Sequence, residues 1–370
     1  MFPRIRAAIE DDSHVHVVTL EQLERDPHGV LARLRAREPV AWVPVLNAWL
    51  VTRRDLALAV MRDPQTFTVD DPRFSTAQVV GPSMLSLDGD EHDRHRAPFA
   101  APFRLAGVRE RFTEVVARET DRLLEEIRPA GRTELRRAFA GPLAAAVITD
   151  ALGLTDVGTE AVLGWYDAIV DGVTAVTAGR PVTAKARAAY AELRSALGDR
   201  PAADCAVLLF GGIETTEGMI ANAVLHLLSH DDALAAVRAD PALLPNAIEE
   251  SLRLEPAAAT VDRYATRDFE LAGAAIRAGD LVTVSIAAAN RDPDVFADPD
   301  GYDIARDNAR LHLAFAHGPH VCLGMHLARL EAHTAVGALL DELGGLRLTA
   351  PAAPRGLVFR KPPELHVAWD

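Results

Sequence analysis

Cysteine is scarce in this chain, which has two, Cys205 and Cys322, among 370 residues. The two lie far apart and Cys205 sits inside an apolar helical run, so the pattern argues against a disulfide scaffold and favours a reducing compartment. Two cysteines also exclude a four-cysteine zinc site and an iron–sulfur cluster held by four cysteines.

Long apolar runs and excess positive charge are also missing. The most apolar internal stretch, around AVLLFGGI, is much shorter than a membrane span, and the N-terminal MFPRIRAAIEDD has no apolar core typical of a signal peptide. The formal net charge of −14 disfavours binding to a phosphate backbone. We therefore expect a cytoplasmic protein with no membrane and no nucleic-acid partner.

Alanine and leucine at helical spacing are abundant, whereas strand-like runs are short. The pattern predicts a mainly α protein, read as one domain over residues 1–370 with a β-rich fringe near 40–52, 260–285 and 345–370. The predicted helices are Leu20–Glu38, Asp55–Arg62, Glu91–Phe103, Val108–Ile127, Pro142–Leu152, Glu160–Val176, Thr183–Leu197, Ala202–Ser229, Ala242–Leu254 and Met325–Leu343.

Cys322 lies in the segment FAHGPHVCLG, between a glycine-bounded loop and a predicted helix start. Gly318 and Pro319 bend the chain so that backbone N–H groups can point at sulfur, and the helix after Gly324 places its positive end nearby. The residues alone leave three readings open: a buried structural cysteine, a nucleophile paired with His320, and a metal ligand.

Phe315, Gly318, His320, Cys322 and Gly324 together resemble the haem-binding loop of the cytochromes P-450, the haem-thiolate monooxygenases. The resemblance extends from near Leu20 to the final strand. It implies haem b with an axial thiolate from Cys322, and it implies the cytochrome P-450 fold, a large helical domain with a small β-rich subdomain.

The resemblance assigns a structural role to three residues outside the cysteine loop. In NAIEESLRLEP, Glu250 and Arg253 lie three apart and so share one helical face. Arg306, in GYDIARDN, stands where the family has an arginine that joins this pair. The three are expected to hold the cysteine loop against the core, and breaking such a buried network is costly.

The segment LLFGGIETTEG places three glycines, two acids and two threonines in a strong helix pattern. Packing against a neighbouring helix could explain the glycines; the alternative is a turn widened by threonine hydroxyls that compete for the i−4 carbonyl. The segment resembles the family's oxygen-activation turn. The resemblance implies that Thr215 holds an ordered water and that Glu214 relays protons to O2.

Haem carries two propionates that need cationic partners. His92 and Arg96 lie at i, i+4 in DGDEHDRHRAPF, which resembles the helix that crosses the haem edge in the family. Arg263 and His320 match two further customary propionate partners. The resemblance therefore implies a group of four cationic side chains at one edge of the cofactor.

The chain departs from the family pattern at two places. Ala316 stands where the family most often has glycine, so the cysteine loop is expected to be slightly remodelled. The sequence GDRPAADC is all that separates the helix ending near Leu197 from the oxygen-activation helix, so the fold is expected to be shortened between the G and I helices of the family. The roof of the pocket was expected from residues 67–85 and 165–190, with Ala257, Ala258, Ala259 and Val261 opposite.

The chain has no flavin or nicotinamide fingerprint, so the electrons must come from NAD(P)H through other proteins. A ferredoxin and a ferredoxin reductase are the expected partners. A docking face was expected from the basic residues that surround the propionate helix and follow the cysteine; these are Arg94, Arg104, Arg109, Arg111 and Arg329.

The leading functional hypothesis is a monooxygenase that hydroxylates or epoxidises a bulky, largely apolar specialised metabolite. An alternative is oxidative coupling, such as crosslinking of aryl groups or peptide side chains, on the same scaffold. Two more remote hypotheses are a haem sensor without turnover, against which Glu214 and Thr215 argue, and a cysteine hydrolase.

Overall fold

The computed structural model describes residues 18–370. The first half of that range contains eight helices, which follow one another with short connections; they are α1 (Leu20–Arg25), α2 (His28–Arg37), α3 (Arg54–Arg62), α4 (Ser75–Val80), α5 (Gly89–Phe103), α6 (Leu105–Ile127), α7 (Gly141–Ala151) and α8 (Thr159–Thr177). The second half contributes α9 (Ala184–Leu197), α10 (Ala202–Ser229), α11 (Asp231–Ala239), α12 (Leu244–Leu254), α13 (Ile286–Ala289) and α14 (Met325–Glu342).

The strands form three small sheets. The largest has the order β1-β2-β8-β5-β3 and is built from Val40–Val43, Ala48–Val51, Leu281–Ser285, Thr260–Ala265 and Phe67–Thr68. β2 and β8 are parallel, and the other pairs in this sheet are antiparallel. A second sheet joins β4 (Arg132–Glu134), β10 (His366–Ala368) and β9 (Arg347–Leu348), and a hairpin joins β6 (Phe269–Leu271) and β7 (Ala274–Ile276).

Three helix predictions differ from the structure. The helix predicted over Leu20–Glu38 is two helices, because Pro27 lacks an N–H and the residue before a proline disfavours helical geometry. The helix predicted from Ala242 begins at Leu244, after a 3₁₀ turn. α11 was not predicted, although Asp231 and Asp232 are typical of a helix start.

The connection between α9 and α10 is as short as the sequence indicated. α9 ends at Leu197, and α10 begins at Ala202 with no further helix between them. α10 then runs through the middle of the protein, where most of its residues are buried. It packs against α7, α12 and α14 and so connects the elements that surround the site described below.

The main core lies between α6, α10, α12 and α14, where Phe112, Leu124, Ile220, Ile248 and Val336 are fully or almost fully buried. A second cluster joins α4, α7, α8 and α9. Within residues 18–370, no helix is both long and apolar enough to cross a membrane.

Candidate active site

A large cavity lies beside Cys322, between α10, α14 and the loop that carries the cysteine. It contains about 1250 Å³ of space, including its opening to solvent. Its walls are mostly apolar; among the lining residues are Met84, Leu85, Phe103, Ile148, Val207, Leu208, Met219, Ala257, Ala258, Val261, Ile286, Leu323 and Leu327. This size and lining suit a bulky, largely apolar occupant.

Cys322 opens onto this cavity. Its amide donates to the carbonyl of Phe315 (2.8 Å), which closes the cysteine loop, and the backbone amide of Gly324 lies close enough to its sulfur to favour the thiolate. The sulfur is exposed on the cavity side although dense protein surrounds the loop. Burial raises the pKa of the Cys322 thiol, whereas the Gly324 amide and the positive charges of Arg96 and Arg329 act in the opposite direction.

Cys205 has a different environment. Its side chain is buried in the core of α7, α8 and α9, and burial raises the pKa of its thiol to about 11. Cys322 is therefore the cysteine whose surroundings suit a metal-binding thiolate, because it has hydrogen-bond donors, nearby cations and an open face. His320 is occupied elsewhere, which disfavours the nucleophile pair.

The cysteine loop keeps the backbone shape of a glycine-rich turn. Ala316 has φ of 55°, in the left-handed region that alanine rarely adopts. Gly318 has φ of 77°, and a Cβ there would lie 2.3 Å from the carbonyl oxygen of Met61. Ala316 thus adopts a conformation that glycine would take without strain.

The two adjacent glycines of α10, Gly211 and Gly212, have different environments. A Cβ at Gly212 would lie 2.9 Å from Ile148 of α7, so helix packing explains this glycine. Gly211 faces the cavity, with nothing within 4 Å of its Cβ position. The Thr215 hydroxyl donates to the Gly211 carbonyl (2.6 Å), as the sequence indicated, but the α-helix is continuous here rather than widened.

Glu214 lies beside this turn but is not among the residues that line the cavity. Its carboxylate is 2.9 Å from Nζ of Lys361, which also binds Glu217 at 2.8 Å. No local pattern signals this pairing, because Lys361 comes from the C-terminal segment. Glu214 is therefore ion-paired with a residue that the sequence analysis did not identify.

Three of the four expected propionate partners lie near one another. Arg96 lines the cavity and donates to the carbonyl of Val321 (2.6 Å). The His92 and His320 rings stack with centroids 4.5 Å apart. His320 is bound to Asp88 (2.8 Å); burial alone would raise the pKa of Asp88, but hydrogen bonds from His320, Thr68 and Val69 lower it to about 2.

Arg263, the fourth partner, is buried on β5 and donates to the carbonyl of Asp262 (2.8 Å). Burial lowers the pKa of its guanidinium, which the charges of Asp88 and Asp262 oppose. It is not among the lining residues of the cavity, and among residues 18–370 no carboxylate lies within ion-pair distance of it.

These features fit haem. Nε2 of His92 is buried without a hydrogen-bond partner within the described residues, and Arg263 has charge that no carboxylate there neutralises. Both needs would be met by the carboxylates of a bound porphyrin. The apolar walls suit its ring, and a soft sulfur ligand is available for iron at Cys322.

Glu250 joins Arg253 and Arg306 in a fully buried network. Its Oε1 accepts from Nη2 of Arg253 (2.8 Å), Nε of Arg306 (2.9 Å) and the Asp303 amide (3.0 Å), and Oε2 accepts from Nε of Arg253 (2.7 Å). The two guanidinium groups also donate to carbonyls of the segment 290–301. The network therefore fixes the long loop that leads to the cysteine.

Glu331 also lines the cavity, and sequence reasoning missed it. It lies on α14, is 3% exposed, and its Oε2 has no hydrogen-bond partner in the described part of the chain. Burial raises the pKa of this carboxyl well above its usual range. Helical spacing from Gly324, Leu327 and Ala328, which line the same wall, is the signal that could have identified it.

The cavity roof differs in part from the expectation. Met84 and Leu85 line it, but Val79 and Val80 pack into the core with α8 and α9. Among the described residues, none of the lining residues comes from 165–190. Ala257, Ala258 and Val261 line the opposite side, whereas Ala259 is buried in a separate cluster with Leu23 and Leu31.

The expected docking arginines are not equivalent. Arg329 binds both oxygens of buried Glu249 (2.6 and 2.9 Å) and stacks on Phe315, so its charge is used inside the protein. Arg111 donates to the carbonyls at the end of α7, and Arg94 pairs with Glu91. Arg104 and Arg109 are exposed.

Comparisons with known proteins agree with this geometry. A model of the cytochrome P450 family matches residues 199–344. The cytochrome P450 monooxygenase PikC of Streptomyces venezuelae is 38% identical, with 92% of this chain and 89% of that protein covered. The 20-oxo-5-O-mycaminosyltylactone 23-monooxygenase of Streptomyces fradiae is 35% identical, with coverages of 93% and 90%. The crystal structure of P450BioI in complex with an acyl carrier protein ligated with hexadec-9Z-enoic acid superposes with a TM-score of 0.85, at 29% identity and coverages of 95% and 100%.

Proposed function

The chain belongs to the cytochrome P450 family and is a monooxygenase, and from this premise we propose that it hydroxylates or epoxidises a bulky, largely apolar specialised metabolite. The observation that supports this most directly is the apolar lining of the large cavity, with Cys322 and Thr215 both on its walls. Haem, when bound, supplies the oxidising chemistry: its iron activates O2, and the thiolate ligand favours cleavage of the O–O bond.

Cys322 is the proposed iron ligand. Burial favours the neutral thiol and raises its pKa, while the amide of Gly324 and the positive charges of Arg96 and Arg329 act in the opposite direction and favour the thiolate that would bind iron. The backbone bond from Cys322 to Phe315 and the tight turn at Gly318 keep the sulfur directed at the cavity. The network of Glu250, Arg253 and Arg306 supports that loop from behind.

Thr215 and Glu214 are the proposed proton-delivery pair. The hydroxyl of Thr215 donates its proton to the Gly211 carbonyl, so its oxygen remains free to accept a hydrogen bond from a water in the cavity. Glu214 precedes Thr215 on the same helix and links this water to the ion pair with Lys361, whose two side chains keep 13% and 11% of their surface exposed to solvent. Apolar walls around the pair limit other water, which keeps proton delivery ordered.

Arg96, His92, His320 and Arg263 are the proposed partners of the two haem carboxylates. Arg96 is the group that both lines the cavity and carries a permanent charge. His92 supplies a buried ring nitrogen without a hydrogen-bond partner among residues 18–370, and Arg263 supplies a buried guanidinium with no carboxylate within ion-pair distance there. Asp88 binds Nε2 of His320 and so fixes the orientation of the ring. Nδ1 of the same ring faces away from Asp88.

The substrate is proposed from the walls of the cavity. Apolar side chains from three separate elements, including Met84, Val207 and Val261, surround the space above the cysteine, and few polar groups would orient a small polar molecule. The relative from Streptomyces fradiae is a monooxygenase of 20-oxo-5-O-mycaminosyltylactone, which favours a substrate of similar bulk. A ferredoxin and its reductase are the proposed electron donors, with Arg104 and Arg109 available for contact.

The first test concerns the iron ligand. With carbon monoxide, the reduced wild-type protein should show the strongly red-shifted main absorption band of a thiolate-ligated haem. Cys205→Ala is the matched control and should keep this band, whereas Cys322→Ala should lose it. A red-shifted band in Cys322→Ala, or its absence in the wild type, would overturn the assignment.

The second test concerns the reaction. A library of specialised metabolites is screened for compounds that change the haem absorption band, and the products of those compounds are measured with ferredoxin, reductase and NADPH. A gain of one oxygen atom supports monooxygenation. A loss of two hydrogens would replace it with oxidative coupling, and a haem protein that consumes no NADPH with any bound compound would contradict both.

A further inference from the structure

The C-terminal segment 355–361 crosses α10 at the proposed proton-delivery turn; we name it the C-terminal strap. The amide of Arg360 donates to the carbonyl of Ala257 (2.9 Å), and the side-chain amide of Asn222 on α10 donates to the carbonyl of Arg360 (3.0 Å). The Phe359 ring packs edge-on against Phe210, with centroids 5.3 Å apart. The strap is thus attached to α10 at Phe210 and at Asn222, which lie on either side of Glu214 and Glu217 along the helix.

Lys361 and three other charged side chains form a cluster under the strap. Nζ of Lys361 lies 2.9 Å from Oε1 of Glu214 and 2.8 Å from Oε2 of Glu217, and Oε1 of Glu217 accepts from Nε of Arg136 (2.8 Å). The side chains are between 3% and 13% exposed. Two cations and two anions therefore balance in a poorly hydrated site, where an unpaired charge is costly.

The two carboxylates are held unequally. Glu217 is bound by Arg136 and Lys361, whereas Lys361 is the one ion-pair partner of Glu214 among residues 18–370. If Glu214 turns away, Lys361 keeps Glu217 as its partner. Release of Glu214 therefore strands no buried cation, and it is the carboxylate of the cluster that can move at low cost.

Lysine at this position is itself informative. The chain contains only two lysines, Lys185 and Lys361, among 39 Lys and Arg residues. An ammonium is a compact charge with three donors that can serve two separate carboxylates, whereas the planar guanidinium of arginine suits bidentate contact with one. A chain that uses arginine almost everywhere thus has a lysine where a cation must be shared.

We propose that Lys361 is a positioning residue of the proton-delivery turn. Its ammonium is shared by Glu214 and Glu217 and holds Glu214 under the strap. When Glu214 turns toward Thr215, the ammonium stays with Glu217. This inference rests on the proposed role of Glu214. Lys361 itself contacts neither the cavity nor a substrate, and it acts through the carboxylate that it holds.

A spectroscopic experiment tests the sharing without turnover. Because the chain has two lysines, haem-loaded protein labelled with [13C,15N]lysine should give two side-chain signals, which Lys185→Met assigns. Glu214→Gln and Glu217→Gln should each shift the Lys361 signal and leave the exposed Lys185 signal in place. An unchanged Lys361 signal in Glu214→Gln would show that the lysine belongs to Glu217 alone and would refute the proposal.

A second measurement tests the consequence for proton delivery. The electron donors are a plant-type ferredoxin and its reductase. When the oxygen is reduced but leaves before the O–O bond is cleaved, NADPH, O2 and a proton give NADP⁺ and H2O2. General acid–base assistance is typically worth about 100-fold or more. Lys361→Met should remove only part of it, because Glu214 remains, so the H2O2 recovered per NADPH should rise about tenfold. Lys361→Arg should restore part of the wild-type yield, and Lys185→Met should leave the yield unchanged.

The outcomes separate this inference from the proposed function. A purely structural lysine would lower the Tm of Lys361→Met and leave the H2O2 yield and its change in D2O as in the wild type, which would overturn the positioning role. Haem-loaded wild-type protein that takes no electrons from NADPH would contradict the proposed function instead. The lysine signals would then still decide whether the ammonium is shared.

Discussion

Replacing Glu250 by Gln tests whether the buried network behind the cysteine loop is a main source of stability. Glu250 and Arg253 are both 0% exposed, and the carboxylate accepts four hydrogen bonds. The amide keeps the shape but removes the negative charge, and it places an NH2 group against a guanidinium that needs an acceptor. Two buried guanidinium groups then lose their counter-ion.

The size of the effect follows from this geometry. Removing one partner of a buried ion pair typically costs about 3–5 kcal/mol. For a chain of 370 residues, an unfolding entropy of about 2 cal/mol/K per residue converts that loss into a fall of about 4–6 °C in Tm. We expect the haem band to be lost together with the helical circular dichroism, because the same loop carries Cys322.

Glu126→Gln is the matched control, since it makes the same chemical change in an exposed i, i+4 pair with Arg122. An exposed pair of this type is worth about 0.5 kcal/mol or less, so the Tm of this variant should stay within about 1 °C of the wild type. Thermal unfolding of the two haem-loaded variants is compared at the same pH and salt. Equal Tm values for Glu250→Gln and Glu126→Gln would refute the reasoning.

Three further predictions follow from single residues of the site. Ala316→Gly should raise the free energy of unfolding by about 0.5–1 kcal/mol in urea titrations, because relief of the left-handed strain exceeds the entropy cost of glycine; an unchanged or lower midpoint would contradict this. Burial raises the pKa of Glu331, so the native state binds more protons than the unfolded chain above the ordinary value of 4.5, and stability falls with rising pH by about 1.4 kcal/mol per unit until the native acid ionises. Glu331→Gln should remove this slope above about pH 5, and parallel stability curves for the two proteins would exclude a neutral buried acid. Arg263→Met should speed haem transfer to an acceptor globin about tenfold, since a charge-assisted bond of about 1.4 kcal/mol is lost, without lowering the stability of the haem-free protein; an unchanged transfer rate would exclude Arg263 as a haem partner.

Features set by short sequence distances were predictable. Glu250 and Arg253 share a helix face because they are three residues apart, and the hydroxyl of Thr215 reaches the Gly211 carbonyl because they are four apart. The left-handed conformations at Ala316 and Gly318 belong to a loop whose residues already resembled a haem-binding turn. The periodicity of apolar residues also located most helices, including α10 and α14.

The remaining features depend on how distant elements pack. Lys361 meets Glu217 from 144 positions away, and Asp88 meets His320 from 232. The sequence contained these charges but gave no indication of their pairing, since any of the many arginines could have served as the cation for Glu214. The sequence likewise showed an acid at Glu331, whereas only the packing of α14 beside the cavity left it without a partner.

By itself the sequence determined the haem-thiolate loop, the helices that carry the site and the class of chemistry, because these follow from residue types at fixed local spacing. Tertiary structure decided that Lys361 holds Glu214 and that His320 is bound to Asp88. It also decided that Gly212 packs against α7 and that Gly211 has open space beside it. The physical reason is that local geometry is limited by covalent bonds and hydrogen-bond spacing, whereas ion pairs and cavities arise between elements whose relative positions are fixed only when the whole core packs.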